Sequence, residues 1–321
     1  PPDQPATQPL QRPHLHAPRP RNPPARPRPP PTDNTQGSST AMARVFETLD
    51  KVIDSDVPVL IQGESGTGKE LIARAIHFNG ARQEQPFVVE NCAALPDSLL
   101  ESELFGHTRG AFTGADRAKK GLIEQADGGT LFLDEIGDMS PDAQAKVLRA
   151  LESGVITRVG GSKAIEVDVR VIAATNKNLE HEIEEGAFRE DLFYRLNVVP
   201  VHTPPLRERR DDIPMLVQHF TDIMTKREGM SPRSFETAAI DRLQSFSWPG
   251  NVRELRNTVE RLLILATGDS VRAEDVELLA SGRSGGGGLG GELLATENFS
   301  DFKDGAERAY ILQKLRENDW N

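Results

Sequence analysis

A single cysteine among 321 residues leaves no partner for an intrachain disulfide, and no histidine–cysteine spacing fits a zinc site. Cys92 therefore reads as a packing residue, and a reducing cytoplasm is the expected setting. Long apolar runs are also missing: none approaches the roughly 18 residues that a spanning helix needs. No basic-then-apolar leader opens the chain, so a soluble protein without membrane contact is expected. Internal repeats are absent. Positive charge is scarce in the body, because the formal −11 combines +3 on residues 1–38 with −14 on the rest. An acidic body argues against broad nonspecific binding to nucleic acid.

Thirteen of the 23 prolines lie among residues 1–31, with few bulky apolar side chains between them. Residues 1–38 are thus predicted to be an extended, disordered linker. A second linker is expected over residues 281–300, where Gly285 to Gly288, Gly290 and Gly291 offer nothing to pack. Past it, Phe302, Ala306, Tyr310, Leu312 and Leu315 sketch the first helix of another unit at 301–321.

Between the linkers, Gly63-Glu64-Ser65-Gly66-Thr67-Gly68-Lys69 forms a glycine-rich loop after the apolar run 57–61, and a helical pattern (Leu71, Ile72, Ala75, Ile76) follows. Such a loop turns backbone N–H groups toward clustered phosphate charge at a helix N-terminus, with Lys69 able to reach the β and γ phosphates. Glu70 stands where a serine or threonine usually supplies a hydroxyl to magnesium. A plain strand-to-helix turn with a solvated lysine is the bland alternative. A second motif weighs against it: the β-prone run Thr130 to Leu133 ends in Asp134-Glu135. At the carboxyl end of a buried parallel strand, Asp134 is placed to hold Mg2+ and Glu135 to polarise the attacking water. Capping of the next helix suits Asp138, Ser140 or Pro141 better than these two acids.

Strand-like runs at 57–61, 87–90, 130–133, 169–174 and 198–201 alternate with helical stretches, which predicts a parallel sheet sandwiched by helices over residues 39–204. After Pro204-Pro205 the segments 213–226, 235–246 and 252–266 read as helices of a small all-helical lid, 205–280. Trp248 to Asn251 supply a turn and cap before the last of these.

At this point the residues carry a family resemblance. From about Ser39 to Ala280 the chain resembles the AAA+ P-loop ATPase domain of sigma-54-dependent transcriptional activators. The most specific element is Gly110-Ala111-Phe112-Thr113-Gly114-Ala115, preceded by Glu103 to His107. By itself this is a small loop exposing an aromatic and a hydroxyl, although Phe112 could tuck into the core. The resemblance implies that the loop engages sigma-54 RNA polymerase holoenzyme and moves with the nucleotide state. Thr157 to Ala164 resembles the family's second surface loop, or is a simple hairpin turn.

The same resemblance implies ATP and Mg2+ as ligands and a homo-oligomer, expected to be a hexameric ring. Arg189 and Arg195 match its arginine fingers, which act on a neighbour's nucleotide; pairing with Glu190 or Asp191 is the structural alternative. Thr175-Asn176 resembles the first sensor, Arg253 the second, and Asn91 the residue that holds Glu135 until hydrolysis is licensed. Enhancer DNA would be met only through a C-terminal helix-turn-helix of which 301–321 is the opening. The rival expectations are a AAA+ ATPase remodelling another protein client, and a nucleotide-gated scaffold without turnover.

Overall fold

The computed structural model describes residues 39–228, 233–266 and 268–282. The proline-rich segment 1–38, the glycine-rich stretch from 283 onward and the expected final helix at 301–321 lie outside the described residues. The first part of the chain runs α1 (Thr40–Val52), β1 (Val59–Gln62), α2 (Lys69–Phe78), β2 (Phe87–Asn91), α3 (Asp97–Phe105), β3 (Gly106–His107), β4 (Lys119–Lys120), α4 (Leu122–Gln125) and β5 (Thr130–Asp134). It continues through α5 (Pro141–Ser153), β6 (Val155–Thr157), β7 (Ala164–Glu166), β8 (Arg170–Thr175), α6 (Leu179–Glu184), α7 (Glu190–Leu196) and β9 (Val199–His202). The lid comprises α8 (Ile213–Glu228), β10 (Ser234–Phe235), α9 (Thr237–Gln244), α10 (Asn251–Leu265), β11 (Ser270–Val271) and α11 (Ala273–Gly282).

Five strands form one sheet in the order β2-β5-β8-β1-β9, and every neighbouring pair is parallel. The period-two alternation of a strand divides its side chains between two buried faces. Leu131 and Leu133 of β5 pack with Leu104, Val147 and Leu192 on one side, while Phe132 joins Ile61, Ile72 and Ile172 on the other. Helices on both faces hide the sheet, which is why its strands read as nearly unbroken apolar runs. Glu135 stands at the N-cap position of a single 3-10 turn, Ile136–Asp138, but its side chain makes no capping bond there, and the next α-helix has Ser140 as N-cap with Pro141 in its first turn. The order also brings the carboxyl ends of β1, β5 and β8 side by side, setting the phosphate loop, the acidic pair and Thr175-Asn176 along one edge.

The lid has its own core around Trp248, with Leu206, Leu243, Leu255 and Val259 all buried. Trp248 also donates its indole N–H to the Leu243 carbonyl at 2.8 Å, so the large ring is buried without an orphaned polar atom. The lid is not entirely helical, because β10 and β11 pair in parallel over two residues each. Strands this short leave no alternation for sequence patterning to detect.

Arg170, at the start of β8, is buried and donates to the carbonyls of Val52 and Ile53 at the C-terminal end of α1, at 2.7 and 2.9 Å. Burial lowers its pKa from the usual arginine value. Its guanidinium satisfies helix-end carbonyls that have no intrahelical partner. Arg170→Ala leaves the Ile53 carbonyl without this donor and the Val52 carbonyl with Ser55 alone, whose N–H and hydroxyl reach it at 3.1 and 2.9 Å, and a loss of about 2 kcal/mol is expected, measured by urea unfolding.

Candidate functional site

Between β1 and α2 the chain makes the phosphate loop. Gly68, left-handed at φ 102°, is the N-cap of α2, and the first N–H groups of that helix have no intrahelical acceptor. Lys69 is buried, with its ammonium 3.0 Å from the Gly63 carbonyl and 3.5 Å from Glu135 Oε1. Glu70 lines the same cleft as Lys69, with its carboxylate held by Arg74, Nε at 2.9 and Nη2 at 2.7 Å. Gly66 must be glycine: its φ is +77°, and a Cβ there would meet the Gly250 carbonyl oxygen at 2.4 Å.

Glu135 follows β5 in a left-handed conformation, φ 51° and ψ 48°, which costs a residue with a Cβ about 1 kcal/mol or more and recurs at functional sites. Its carboxylate accepts from the Asn176 backbone N–H at 3.0 Å, while its own N–H donates to Asp134 Oδ1 at 3.1 Å. The strained turn is thus held from both sides. Burial, and then the adjacent Glu135 charge, raise the pKa of Asp134 above the ordinary aspartate value, with Lys69 pulling the other way. Two crowded carboxylates with one nearby ammonium form a donor set that suits a divalent cation.

A cleft of about 460 Å³ joins these groups to the lid. Leu216, Phe220 and Ile223 of α8 give it an apolar wall, and Arg253 and Arg256 of α10 add two guanidiniums opposite Lys69. The combination accepts a ligand with an apolar, planar part and clustered negative charge. Arg253, expected from the sequence, also donates to Ser65 Oγ at 3.0 Å. Arg256, three residues on and so on the same helical face, and His219 of α8 line the cleft too but were not anticipated.

Other expected residues are placed differently. Asn91 ends β2, but its side chain accepts from the Ala93 N–H at 2.9 Å and does not bond Glu135. The short Asx turn satisfies it locally, and the backbone of Asn176 takes the position beside Glu135. Arg189 precedes α7 and forms a two-bond pair with Asp191 at 2.7 and 3.0 Å, as the structural alternative allowed. Arg195 donates to the Leu151 carbonyl at 2.8 Å. Both residues are exposed, and neither lines the cleft of its own chain.

The loop at 110–115 projects from the β3–β4 ladder, closed by Gly110 N–H to the Ala115 carbonyl at 2.9 Å. Phe112 stays 41% exposed and sits edge-on to His107, with ring centres 5.0 Å apart; it does not enter the core. Thr113 is exposed, but Ala115 is buried and anchors the loop instead of offering a contact. Thr157 to Ala164 is a hairpin turn between β6 and β7 that also braces the first loop: Val159 N–H donates to the Gly106 carbonyl and its own carbonyl accepts from Thr108 N–H, at 2.9 and 3.0 Å.

A phosphate loop, a strand-end acid pair and a helical lid over one cleft define a nucleotide-binding protein of the AAA+ class. Comparison with known families supports the class and narrows it. The sigma-54 interaction domain matches residues 35–202, and the AAA+ ATPase lid domain matches 207–285. The chain belongs to the sigma-54 interaction domain family. It is 52% identical over 240 residues to the nitrogen fixation protein AnfA of Azotobacter vinelandii, covering 75% of this chain and 45% of that one. The transcriptional regulatory protein ZraR of Escherichia coli strain K12 is 52% identical over 242 residues, covering 75% and 55%. The chain spans about half the length of the curated relatives it matches. Among solved structures, NtrX of Brucella abortus in complex with ATP aligns with a TM-score of 0.69 at 39% identity, covering 90% of this chain and 64% of that one.

The raised pKa of Asp134 has a testable sign. The folded protein binds that proton more tightly than the unfolded chain, so its contribution to stability is fully present below the ordinary aspartate pKa and is lost as pH rises through the raised value. At neutral pH the ionised Asp134 is a net cost. Asp134→Asn, which keeps an acceptor for the Glu135 N–H, will melt at a higher temperature than the parent without nucleotide, and thermal scans toward acid will show the difference vanish.

Proposed function

We propose that the chain hydrolyses ATP and uses the reaction to remodel sigma-54 RNA polymerase holoenzyme so that promoter DNA opens. The observation that carries this reading is the convergence of Lys69, Asp134 and Glu135 on a lidded cleft in a chain that also presents Phe112 and Thr113 on a braced loop. ATP bound to the similar NtrX supports the choice of nucleotide.

The phosphate-loop N–H groups and Lys69 hold the phosphates, and Arg253 and Arg256 neutralise charge from the lid. Asp134 would hold magnesium, which when bound supplies charge neutralisation at the transferring phosphoryl group. Glu135 orients water and receives its proton, steadied by the Asn176 N–H. Arg189 and Arg195, directed away from their own cleft, act on the nucleotide of an adjacent copy in a ring, which we take to be a hexamer. Loss of γ-phosphate contacts then shifts the loop population and does work on sigma-54. A cytoplasmic setting follows from that partner, and no described helix is long and apolar enough to cross a membrane. Enhancer DNA falls to a part of the protein beyond the AAA+ unit.

Substitutions separate the roles. Lys69→Ala is expected to lower ATP affinity or turnover at least a hundredfold, and Glu135→Gln to bind ATP while turning over at least a hundredfold slower, both read by phosphate release. Thr113→Ala is expected to keep ATPase activity and lose open-complex formation on a sigma-54 promoter; normal activation by it would end the loop assignment. Specific ATPase activity should also rise with protein concentration, since each site is completed by a neighbour.

A further inference from the structure

Asn251, the first residue of α10, is fully buried and left-handed at φ 52°. Asparagine tolerates that backbone better than other residues with a Cβ, but it is still a strained choice at a helix start. Both ends of its amide are used. Oδ1 accepts the Leu206 N–H at 2.8 Å, while Nδ2 donates to Glu64 Oε2 at 3.1 Å and to the Ser65 carbonyl at 3.0 Å. A single planar group therefore ties together the segment leaving the sheet, the phosphate loop and the lid helix.

The bonds around it run the same way. The Gly66 carbonyl accepts from Val252 N–H at 3.0 Å, so a phosphate-loop peptide caps the lid helix. Arg207 pairs with Glu64 through two bonds of 2.7 and 2.9 Å. Arg209, buried, donates to the Thr67 carbonyl at 2.8 Å. Of these groups only Asn251 bridges all three segments, and it does so with two neutral hydrogen bonds and one to the Glu64 carboxylate, each of which weakens steeply with misalignment.

We propose that Asn251 is a positioning residue that holds Glu64 and Ser65 so that the phosphate loop keeps its triphosphate-binding shape, making lid orientation and phosphate affinity one equilibrium. The proposal rests on the ATP-binding reading above. A lid that swings away withdraws the amide and loosens the loop; by linkage, a bound triphosphate that fixes the loop also fixes the lid. A base seated against the α8 wall would sense the position of the lid but not the shape of the loop, so a ligand without phosphates should depend less on this amide.

Two substitutions separate positioning from folding. Asn251→Gly removes the side chain while relieving the left-handed strain, which partly offsets the orphaned Leu206 N–H, so the fold should survive with a melting temperature lowered by only several degrees. Asn251→Asp keeps an acceptor for the Leu206 N–H but loses both donors and sets a second carboxylate against Glu64. Calorimetry of the full chain with ATP, ADP and adenosine reads the effect. Affinity for ATP and ADP is expected to fall roughly tenfold in Asn251→Gly and further in Asn251→Asp, with adenosine affinity falling much less. Adding Glu64→Gln to Asn251→Asp should restore part of the loss, because an amide at 64 can donate to a carboxylate at 251. Parent-like ATP binding by Asn251→Gly, or an equal loss for adenosine and ATP, would overturn the proposal. A parent chain that binds no ATP would remove the nucleotide reading itself, and the proposal with it.

Discussion

A trans peptide points its C=O and N–H in opposite directions, and the phosphate loop exploits this constraint. The carbonyls of Ser65, Gly66 and Thr67 are each taken by groups from the lid side: the Asn251 amide, the Val252 N–H and the Arg209 guanidinium. Anchoring three successive carbonyls on one side helps turn the N–H groups of Gly66 and Gly68 to the other, while the Thr67 N–H is taken within the loop by the Glu64 carbonyl at 3.4 Å. The anion-binding face is thus produced from behind, by the lid, as much as by the glycines themselves. Sheet order, lid and cleft meet at this short stretch of backbone.

The electrostatics of the site are held away from their own optimum. Asp134 and Glu135 sit side by side, the second on a strained backbone, and Lys69 is the nearby cation within 3.5 Å of Glu135. A structure selected for stability alone would not place two carboxylates there. Buried apolar contacts of Leu131, Phe132 and Leu133 just upstream hold the strand in register, which allows its end to carry charges that repel.

Much of this was legible in the sequence because the signals were local. Unbroken apolar runs marked strands buried on both faces, and the glycine spacing before Lys69 and the acids after Leu133 located the cleft. Arg253 was found from its motif. What escaped detection depends on contacts distant in sequence. Asn251 reads as an ordinary cap until the fold brings Glu64 and Leu206 to it, 187 and 45 residues away. Arg256 carried a usable signal, since it follows Arg253 by one helical turn. Ala115 turns inward because closing a tight loop requires one end to be buried, and Asn91 bonds its own turn in preference to Glu135. The first needs the fold, whereas the second is a turn that asparagine favours by type.

The root of the projecting loop is narrow. A Cβ built on Gly106 would lie 2.5 Å from the Gly121 nitrogen, and one on Gly121 would lie 2.4 Å from the Gly106 nitrogen. The outgoing and returning chains therefore touch backbone to backbone, with α3 ending just before and α4 starting just after. Such a waist leaves little slack between its two strands. A force on the aromatic tip has two ways off the loop: through this waist to α4 and the strand that ends in Asp134, and through Val159 to the β6–β7 hairpin.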